Sequence, residues 1–261
     1  MKTQIIAFAI LFVTITNTTA QQKELTNTQK NTIVQLVSEN LLETYIDFDL
    51  AKEMSKEIKQ HVKSKKYNAI TNPLEFSKVV TQDLQKISRD LHLKLNFEPK
   101  RIAQSKRKMP AETKRKRDKM MAVKMAEINY GFSEVKVLNG NIGYLNLRMF
   151  ADIEQAKEAA TAAMSFLSNT NAILIDLRTN GGGVPSMMQL LSSYFTSAEP
   201  VVLSDFYERK TNSKTQLLTF QNIDGKRMTN TPLYILTSKS TFSAAEAFAY
   251  SLKHLDRKSV V

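Results

Sequence analysis

Three features of this chain could carry chemistry: a serine among small residues, a run of glycines behind a charged pair, and three histidines. Ser243 is followed by Ala244 and Ala245 and comes soon after the aliphatic stretch Leu233 to Leu236. Small neighbours leave room for a substrate, and a helix starting here would offer amide N–H groups to developing negative charge. Ser243 is therefore a candidate nucleophile for acyl transfer. Ser243-Ala-Ala-Glu246 is also a Ser-x-x-Glu capping box, worth about 1 kcal/mol to a helix and needing no chemistry. On local sequence the cap is the stronger of the two readings. A nucleophilic serine also needs a base. His61 falls in a Lys-rich helical stretch, and His254 in the last turn of a predicted helix, where it complements the helix dipole. Only His92 sits in an alternating run, on the face opposite Leu91, Leu93, Leu95 and Phe97.

The glycines close the stretch Ile173 to Gly183, an aliphatic run followed by Asp176, Arg178, Asn180, Gly181, Gly182 and Gly183. A short apolar run stopped by turn residues reads as a strand buried on both faces, and ligands of open α/β sheets bind at the carboxyl ends of such strands. The whole chain has only 7 glycines in 261 residues. Three of them in one loop imply a close backbone approach or positive φ. A phosphate cradle would need a Gly-Lys-Ser/Thr or a dinucleotide spacing, and neither is present. Backbone amides forming an oxyanion hole use the same geometry, and a tight strand-to-helix turn is the plain alternative.

The elements that must hold these residues fall into two groups. Thr26 to Ser88 has helical apolar spacing in three stretches: Ile33, Leu36, Val37 and Leu41; then Leu50, Met54, Ile58 and Val62; then, after Pro73, Phe76, Val79, Val80, Leu84 and Ile87. Leu91 to Phe97 is a predicted strand. Beyond a basic segment, Phe132 to Leu138 and Ile142 to Met149 alternate around Asn139-Gly140-Asn141, a hairpin signal. Helices are predicted over 152–167, 185–195 and 243–254, and strands over 173–177, 201–207, 216–220 and 233–236, with a further apolar run beginning at Ser259. Alternation of strand and helix argues for a mainly parallel sheet covered by helices.

Met1 to Ala20 reads as a secretory signal peptide: Lys2, an apolar stretch from Ile5 to Val13 too short to span a bilayer, and Thr18-Thr-Ala20 before Gln21. Export to a bacterial periplasm or the exterior is the expectation, and the lack of cysteine fits an envelope protein without disulfides. The formal charge of +12 is concentrated between Lys100 and Lys124, where eleven Lys/Arg face two acids. That interval has no aromatic residue for base stacking, so nucleic acid is not an expected partner. It reads as a solvated linker or surface helix, with contact to an anionic envelope surface as its functional version. The expected domains are therefore the signal peptide 1–20, a helical domain with a following strand 21–98, a basic linker 99–128, and a core 129–261.

Gly143-Tyr-Leu-Asn-Leu-Arg-Met-Phe150, Ile175-Asp-Leu-Arg-Thr-Asn-Gly-Gly-Gly183 and Pro232-Leu-Tyr-Ile-Leu-Thr-Ser-Lys-Ser-Thr-Phe-Ser-Ala-Ala-Glu246 occur in one order. That order and spacing resemble the tail-specific (C-terminal processing) serine peptidase family, in its branch with interphotoreceptor retinoid-binding protein and the tricorn core protease. The resemblance covers Asn129 to Val261 closely and the preceding helices loosely. It implies an α/β fold, a Clp protease/crotonase-like sheet-and-helix core preceded by a small N-terminal helical bundle. It also implies a serine-type peptidase acting on peptides or proteins without metal or cofactor.

By resemblance Ser243 matches the nucleophile, the Asn180 to Gly183 loop matches the source of an oxyanion amide at Gly182, and Ala244 supplies the second. Asp90-Leu-His92 resembles the Asp-x-His element that provides the base in the tricorn-like branch, with Asp176 and Arg178 expected to brace the loop. The interval 99–131 is too short and too charged for the PDZ domain of the serine-lysine branch. Family members continue past the equivalent of Val260-Val261 into a Gly-rich strand that completes the site. The C-terminal part of the core is thus expected to be missing, leaving this chain catalytically incomplete. A non-catalytic protein binding a peptide or hydrophobic ligand on the same fold is the alternative.

Overall fold

The computed structural model of the protein describes residues 24–105, 109–256 and 259–260. The expected signal peptide, Met1 to Ala20, lies outside the described residues, as does Val261. The chain divides into two compact units, one of residues up to Met109 together with Tyr207–Ser213, the other of Pro110–Phe206 and Lys214 onward. The division falls inside the basic segment, which forms helices rather than an open linker: α4 (Pro99–Ser105) and α5 (Ala111–Glu127).

The first unit is built on α1 (Asn27–Thr44), α2 (Phe48–Lys63) and α3 (Pro73–Ser88). Each begins at a side-chain cap. Thr26 and Gln29 form a reciprocal capping box, Asp47 accepts from the Asp49 and Leu50 amides, and Asn72 accepts from Leu74 and Glu75 with Pro73 at the first helical position. Ile33, Val34, Val37, Leu41, Met54, Ile58, Phe76, Val80 and Leu84 form its core, with Val34 buried where the spacing favoured Leu36. A polar network lies within this core. The Lys30 ammonium is buried and donates to the Tyr67 and Asn68 carbonyls at 2.9 and 2.8 Å, and burial lowers its pKa. Tyr67 donates its hydroxyl to Asp83 at 2.9 Å, while Lys66 and His61 approach the same carboxylate at 2.9 and 3.0 Å. Burial would push the Asp83 carboxyl up, but the Lys66 and Tyr67 hydrogen bonds and the nearby positive charge hold it below its ordinary value.

Leu91 to Phe97 is not a strand. Residues 91 and 92 form a turn and the rest is irregular. Its backbone is satisfied by side chains of α3: Thr81 Oγ1 accepts from the Leu95 amide at 2.9 Å, and Gln85 Nε2 donates to the Leu93 carbonyl at 2.8 Å. The alternation has another origin, since Leu93 and Leu95 pack on the helical core while Leu91 stays exposed.

The second unit holds a five-stranded sheet of β1 (Phe132–Leu138), β2 (Ile142–Leu147), β3 (Ala172–Asp176), β6 (Leu233–Leu236) and β7 (Ser259–Val260), in that spatial order. A separate two-stranded sheet pairs β4 (Val202–Glu208) with β5 (Ser213–Leu218). β1 and β2 are antiparallel across the predicted hairpin, whose Gly140 and Asn141 take φ of 82° and 58°. The remaining pairs of the five-stranded sheet are parallel. The helices α6 (Ile153–Leu167), α7 (Pro185–Ser193) and α8 (Ala244–His254) supply the crossovers that parallel strands require. Leu145, Leu147, Ile173, Ile175, Leu177, Leu233 and Ile235 are buried with Met164, Leu191 and Phe248 from the helices. Pairing of Asn146 with Asp176 and of Asp176 with Leu236 brings the carboxyl ends of β2, β3 and β6 to one edge of the sheet.

Asp83→Asn is expected to destabilise the first unit by about 3 kcal/mol at neutral pH, because it strips the charge that Lys66 and His61 face inside the fold. A depressed carboxyl contributes stability above its unfolded pKa and loses it as pH falls through the folded value. Urea denaturation should therefore show the gap between parent and variant closing as pH is lowered below the ordinary carboxylate range.

Candidate active site

Ser243 stands between the turn after β6 and the first residue of α8, with φ 56° and ψ −125°. That conformation turns its side chain away from the helix, and its hydroxyl makes no capping hydrogen bond. The capping box suggested by Ser243 and Glu246 is therefore not formed. A non-glycine residue held at positive φ costs on the order of 1–3 kcal/mol and persists only where its surroundings enforce it. Ser243 is half-buried, between the buried Ala244 and a helix whose second and fourth amides donate to Phe242 and Ser243 carbonyls at 3.2 and 2.9 Å. The Ala244 N–H opens the helix and has no carbonyl four residues back to bind.

The enforcement comes from the glycine loop. A Cβ on Gly182 would lie 2.7 Å from the Phe242 carbonyl oxygen, 2.7 Å from Ser243 Cβ and 3.0 Å from the Ala244 nitrogen, and Gly182 has φ +101°. Only glycine allows that approach. Gly183, at φ +146°, is pressed as closely on Phe150, whose amide donates to the Gly182 carbonyl at 2.9 Å while the Val184 amide donates to the Phe150 carbonyl at 2.7 Å. Gly181 has open space where a Cβ would stand. Asn180 is fully buried. It donates through Nδ2 to the Leu147 carbonyl at 3.0 Å, accepts from the Gly182 amide at 2.8 Å, and offers its backbone carbonyl to the Phe242 amide at 3.1 Å. The expected oxyanion donor at Gly182 is thereby corrected. Its N–H is committed to Asn180 Oδ1, and its contribution is close packing against the serine, which leaves Ala244 as the amide of the expected pair still directed by the helix start.

Below the loop, Arg178 grips Asp176 with Nε at 2.9 Å and Nη2 at 2.6 Å, the Arg178 amide donates to the same carboxylate at 3.0 Å, and Tyr144 adds its hydroxyl at 2.9 Å. The Arg178 hydrogen bonds outweigh burial and hold the Asp176 carboxyl down at about 2. Three hydroxyls that stand within the quoted motifs, with no role assigned to them there, finish the frame: Tyr144 here, Thr241, which donates to the Leu177 carbonyl at 2.8 Å, and Ser238, which donates to the Arg178 carbonyl. Ser238 and Thr241 fall in a polar run after an aliphatic strand, while Tyr144 stands within β2.

Within this unit the one described histidine, His254, stacks on Tyr250 with ring centroids 4.1 Å apart at the far end of α8. Eleven helical residues separate it from Ser243 by about 16 Å, too far to share a proton. His92 belongs to the helical unit, in the turn that replaces the expected strand, and its Nδ1 lies 3.0 Å from Asp90 Oδ1, which also accepts from the His92 amide at 2.8 Å. His61 is part of the Asp83 network.

A serine held at positive φ beside a glycine loop, at the carboxyl end of a parallel sheet, is the geometry that a nucleophile on a strand-to-helix turn uses. Residues 141–261 match peptidase family S41, and residues 19–132 match the N-terminal domain of that family's peptidases in eukaryotic IRBP. Taken together, these matches show that the chain belongs to peptidase family S41. Among solved structures, a candidate peptidase from Parabacteroides merdae ATCC 43184 superposes with a TM-score of 0.51 at 16% identity, over 89% of this chain and 74% of that one. A lipoprotein from Streptococcus agalactiae gives 0.48 at 15% identity over 88% and 74%. The photosystem II D1 C-terminal processing protease gives 0.39 at 24% identity, over 46% of this chain and 29% of its own length. The chain thus spans less than a third of that protease.

Gly182→Ala forces either the glycine loop or the serine elbow to move. The variant is expected to lose at least tenfold in the rate at which Ser243 reacts with a fluorophosphonate, measured under conditions where circular dichroism shows it still folded.

Proposed function

We propose that this chain is an exported serine peptidase in which Ser243 is the nucleophile. The observation that carries the reading is the positive φ of Ser243, held by Gly182 and unused as a cap. In the proposed reaction the Ser243 hydroxyl oxygen bonds to the carbonyl carbon of a peptide, and its proton passes to the base. The C–N bond then breaks, with the proton delivered to the leaving amine, and water hydrolyses the acyl-serine. The Ala244 amide and the start of α8 face the negative charge that develops on the carbonyl oxygen. The base we assign to His92. Asp90 Oδ1 lies 3.0 Å from its Nδ1 and fixes the orientation of the ring. No metal or cofactor takes part in this scheme. Export rests on the leader-like residues 1–20, and the destination is a bacterial periplasm or the exterior.

α5 supports a further contact. None of its residues is buried, and Lys114, Arg115, Lys116, Arg117, Lys119 and Lys124 are accompanied by the exposed Met120, Met121 and Val123. A cationic helix with adjoining apolar side chains suits an anionic lipid surface.

A fluorophosphonate probe is expected to label Ser243, and Ser243→Ala to abolish both labelling and peptide hydrolysis. His92→Ala should lower hydrolysis by a factor of 100 or more. Folded protein that is never labelled yet retains peptide, with Ser243→Ala without effect, would assign the cleft to a non-catalytic binder of peptide or hydrophobic ligand. Co-sedimentation with phosphatidylglycerol vesicles should weaken steeply between low and high salt and on replacing Arg115, Arg117 and Lys119 with Gln. Equal binding to neutral phosphatidylcholine would remove the role given to α5.

A further inference from the structure

A second feature sits on the same edge of the sheet. A cleft of about 620 Å³ opens between the end of α5 and the strand ends, lined by Glu127, Ile128, Asn129, Phe132, Arg148 and Thr179. Its wall is rigid for a local reason. Asn129, Tyr130 and Gly131 are three successive residues at positive φ (47°, 53° and 90°), and Gly131 is packed so closely on Met149 that a Cβ would lie 2.6 Å from its side chain. The Gly131 carbonyl accepts from the Arg148 amide at 2.8 Å, and Asn129 Nδ2 donates to the Phe132 carbonyl at 3.0 Å. The turn is thus tied to the exit of β2, and that exit carries Arg148.

Arg148 is exposed, and among the described residues no carboxylate forms an ion pair with it. Glu127 is the single acid on the lining, and Thr179, between Arg178 and Asn180, brings the glycine loop to its edge. The route from this cleft to the serine is short. Arg148 lies two residues before Phe150, the Phe150 amide bonds the Gly182 carbonyl, and Gly182 abuts Ser243. Neighbouring strands are about 4.8 Å apart, and β2 is two strands from β6. The cleft is therefore on the order of 10 Å from the elbow, about three to four residues of extended peptide.

We propose that this cleft is a substrate subsite in which Arg148 binds a carboxylate side chain of the peptide, three to four residues from the bond at Ser243. Phe132 and Ile128 offer an apolar floor to the stem of that side chain, and the guanidinium offers paired donors to its carboxylate. The proposal rests on the reading of Ser243 as a nucleophile for its direction along the peptide, while acidic selectivity itself is a matter of binding alone.

The test is fluorescence anisotropy with the full chain carrying Ser243→Ala, using two labelled peptides that differ only by Glu or Gln at one position, scanned along the sequence. Tighter binding of the Glu peptide, by about tenfold at one position, is expected. Arg148→Ala should erase that preference while leaving the Gln peptide's affinity unchanged, and Arg148→Glu should turn it toward a Lys peptide. A preference that survives Arg148→Ala, no preference at any position, or no binding of either peptide would overturn the subsite. Fluorophosphonate labelling of the parent reports separately on Ser243. Labelling without acidic selectivity sinks the subsite alone, and Arg148-dependent selectivity without labelling sinks the catalytic reading alone.

Discussion

The contact on which the rest of this site depends is the packing of Gly182 against the backbone of Phe242 to Ala244. Nothing larger than a hydrogen fits between them, since a Cβ would stand 2.7 Å from a carbonyl oxygen and from Ser243 Cβ. Through it the exits of three adjacent strands become one body: Phe150 after β2 bonds to Gly182, Gly182 follows β3, and Ser243 follows β6. A serine at φ 56° would relax toward an ordinary N-cap if this support were withdrawn, and the hydroxyl would then turn to the helix amides. Close packing thus decides whether the Ser243 hydroxyl caps the helix or is turned away from it.

Electrostatics serve the same contact from below. Asp176 is almost fully buried, and an uncompensated carboxylate there would cost several kcal/mol. Arg178 and Tyr144 satisfy both of its oxygens, so the charge stiffens the loop instead of loosening it. Asn180 completes the division of roles. Its side chain joins the Leu147 carbonyl to the Gly182 amide and so takes up that N–H. In the proposed reaction, stabilisation of the oxyanion therefore falls to Ala244 and the start of α8, where a helix leaves amides without internal partners.

Much of this was legible from residue order because it is local. The helical spacing of α1, α2 and α3, the aliphatic strands at 172–176 and 233–236, and the hairpin at Asn139 to Asn141 each follow from neighbours within a few residues. The failures share the opposite character. Leu91 to Phe97 alternates like a strand, yet its partners are Thr81 and Gln85 on a helix, and period alone cannot distinguish a sheet from a ledge of side chains. Ser243 and Glu246 have a capping spacing, but a glycine some sixty residues earlier overrules it. The Gly182 amide was misassigned for the same reason, because only the folded loop reveals that Asn180 has taken it. Lys30 gave no warning at all: a lysine between helical apolar positions is ordinarily solvent-facing, and here the carbonyls of Tyr67 and Asn68 draw it inward.

In the core unit the positive-φ residues that are packed most tightly gather at one edge of the sheet. Ser243 after β6, Gly182 and Gly183 after β3, and Asn129 to Gly131 beside the exit of β2 all have positive φ, while the buried strands between them are regular. Turn geometry alone would place such residues at both ends of the strands. Positive φ also occurs away from that edge, at Gly140, Asn141, Gly225 and Asp256, but a Cβ on either of these glycines would meet only side chains, at 3.9 Å for Gly140 and 3.3 Å for Gly225. At the carboxyl edge each strained residue is instead wedged against a neighbouring strand exit, Gly131 on Met149, Gly183 on Phe150 and Gly182 on Ser243. Strain held by packing of this kind keeps backbone and side chains in one arrangement without further ordering when a ligand arrives, which is the condition that acyl transfer at a fixed serine requires.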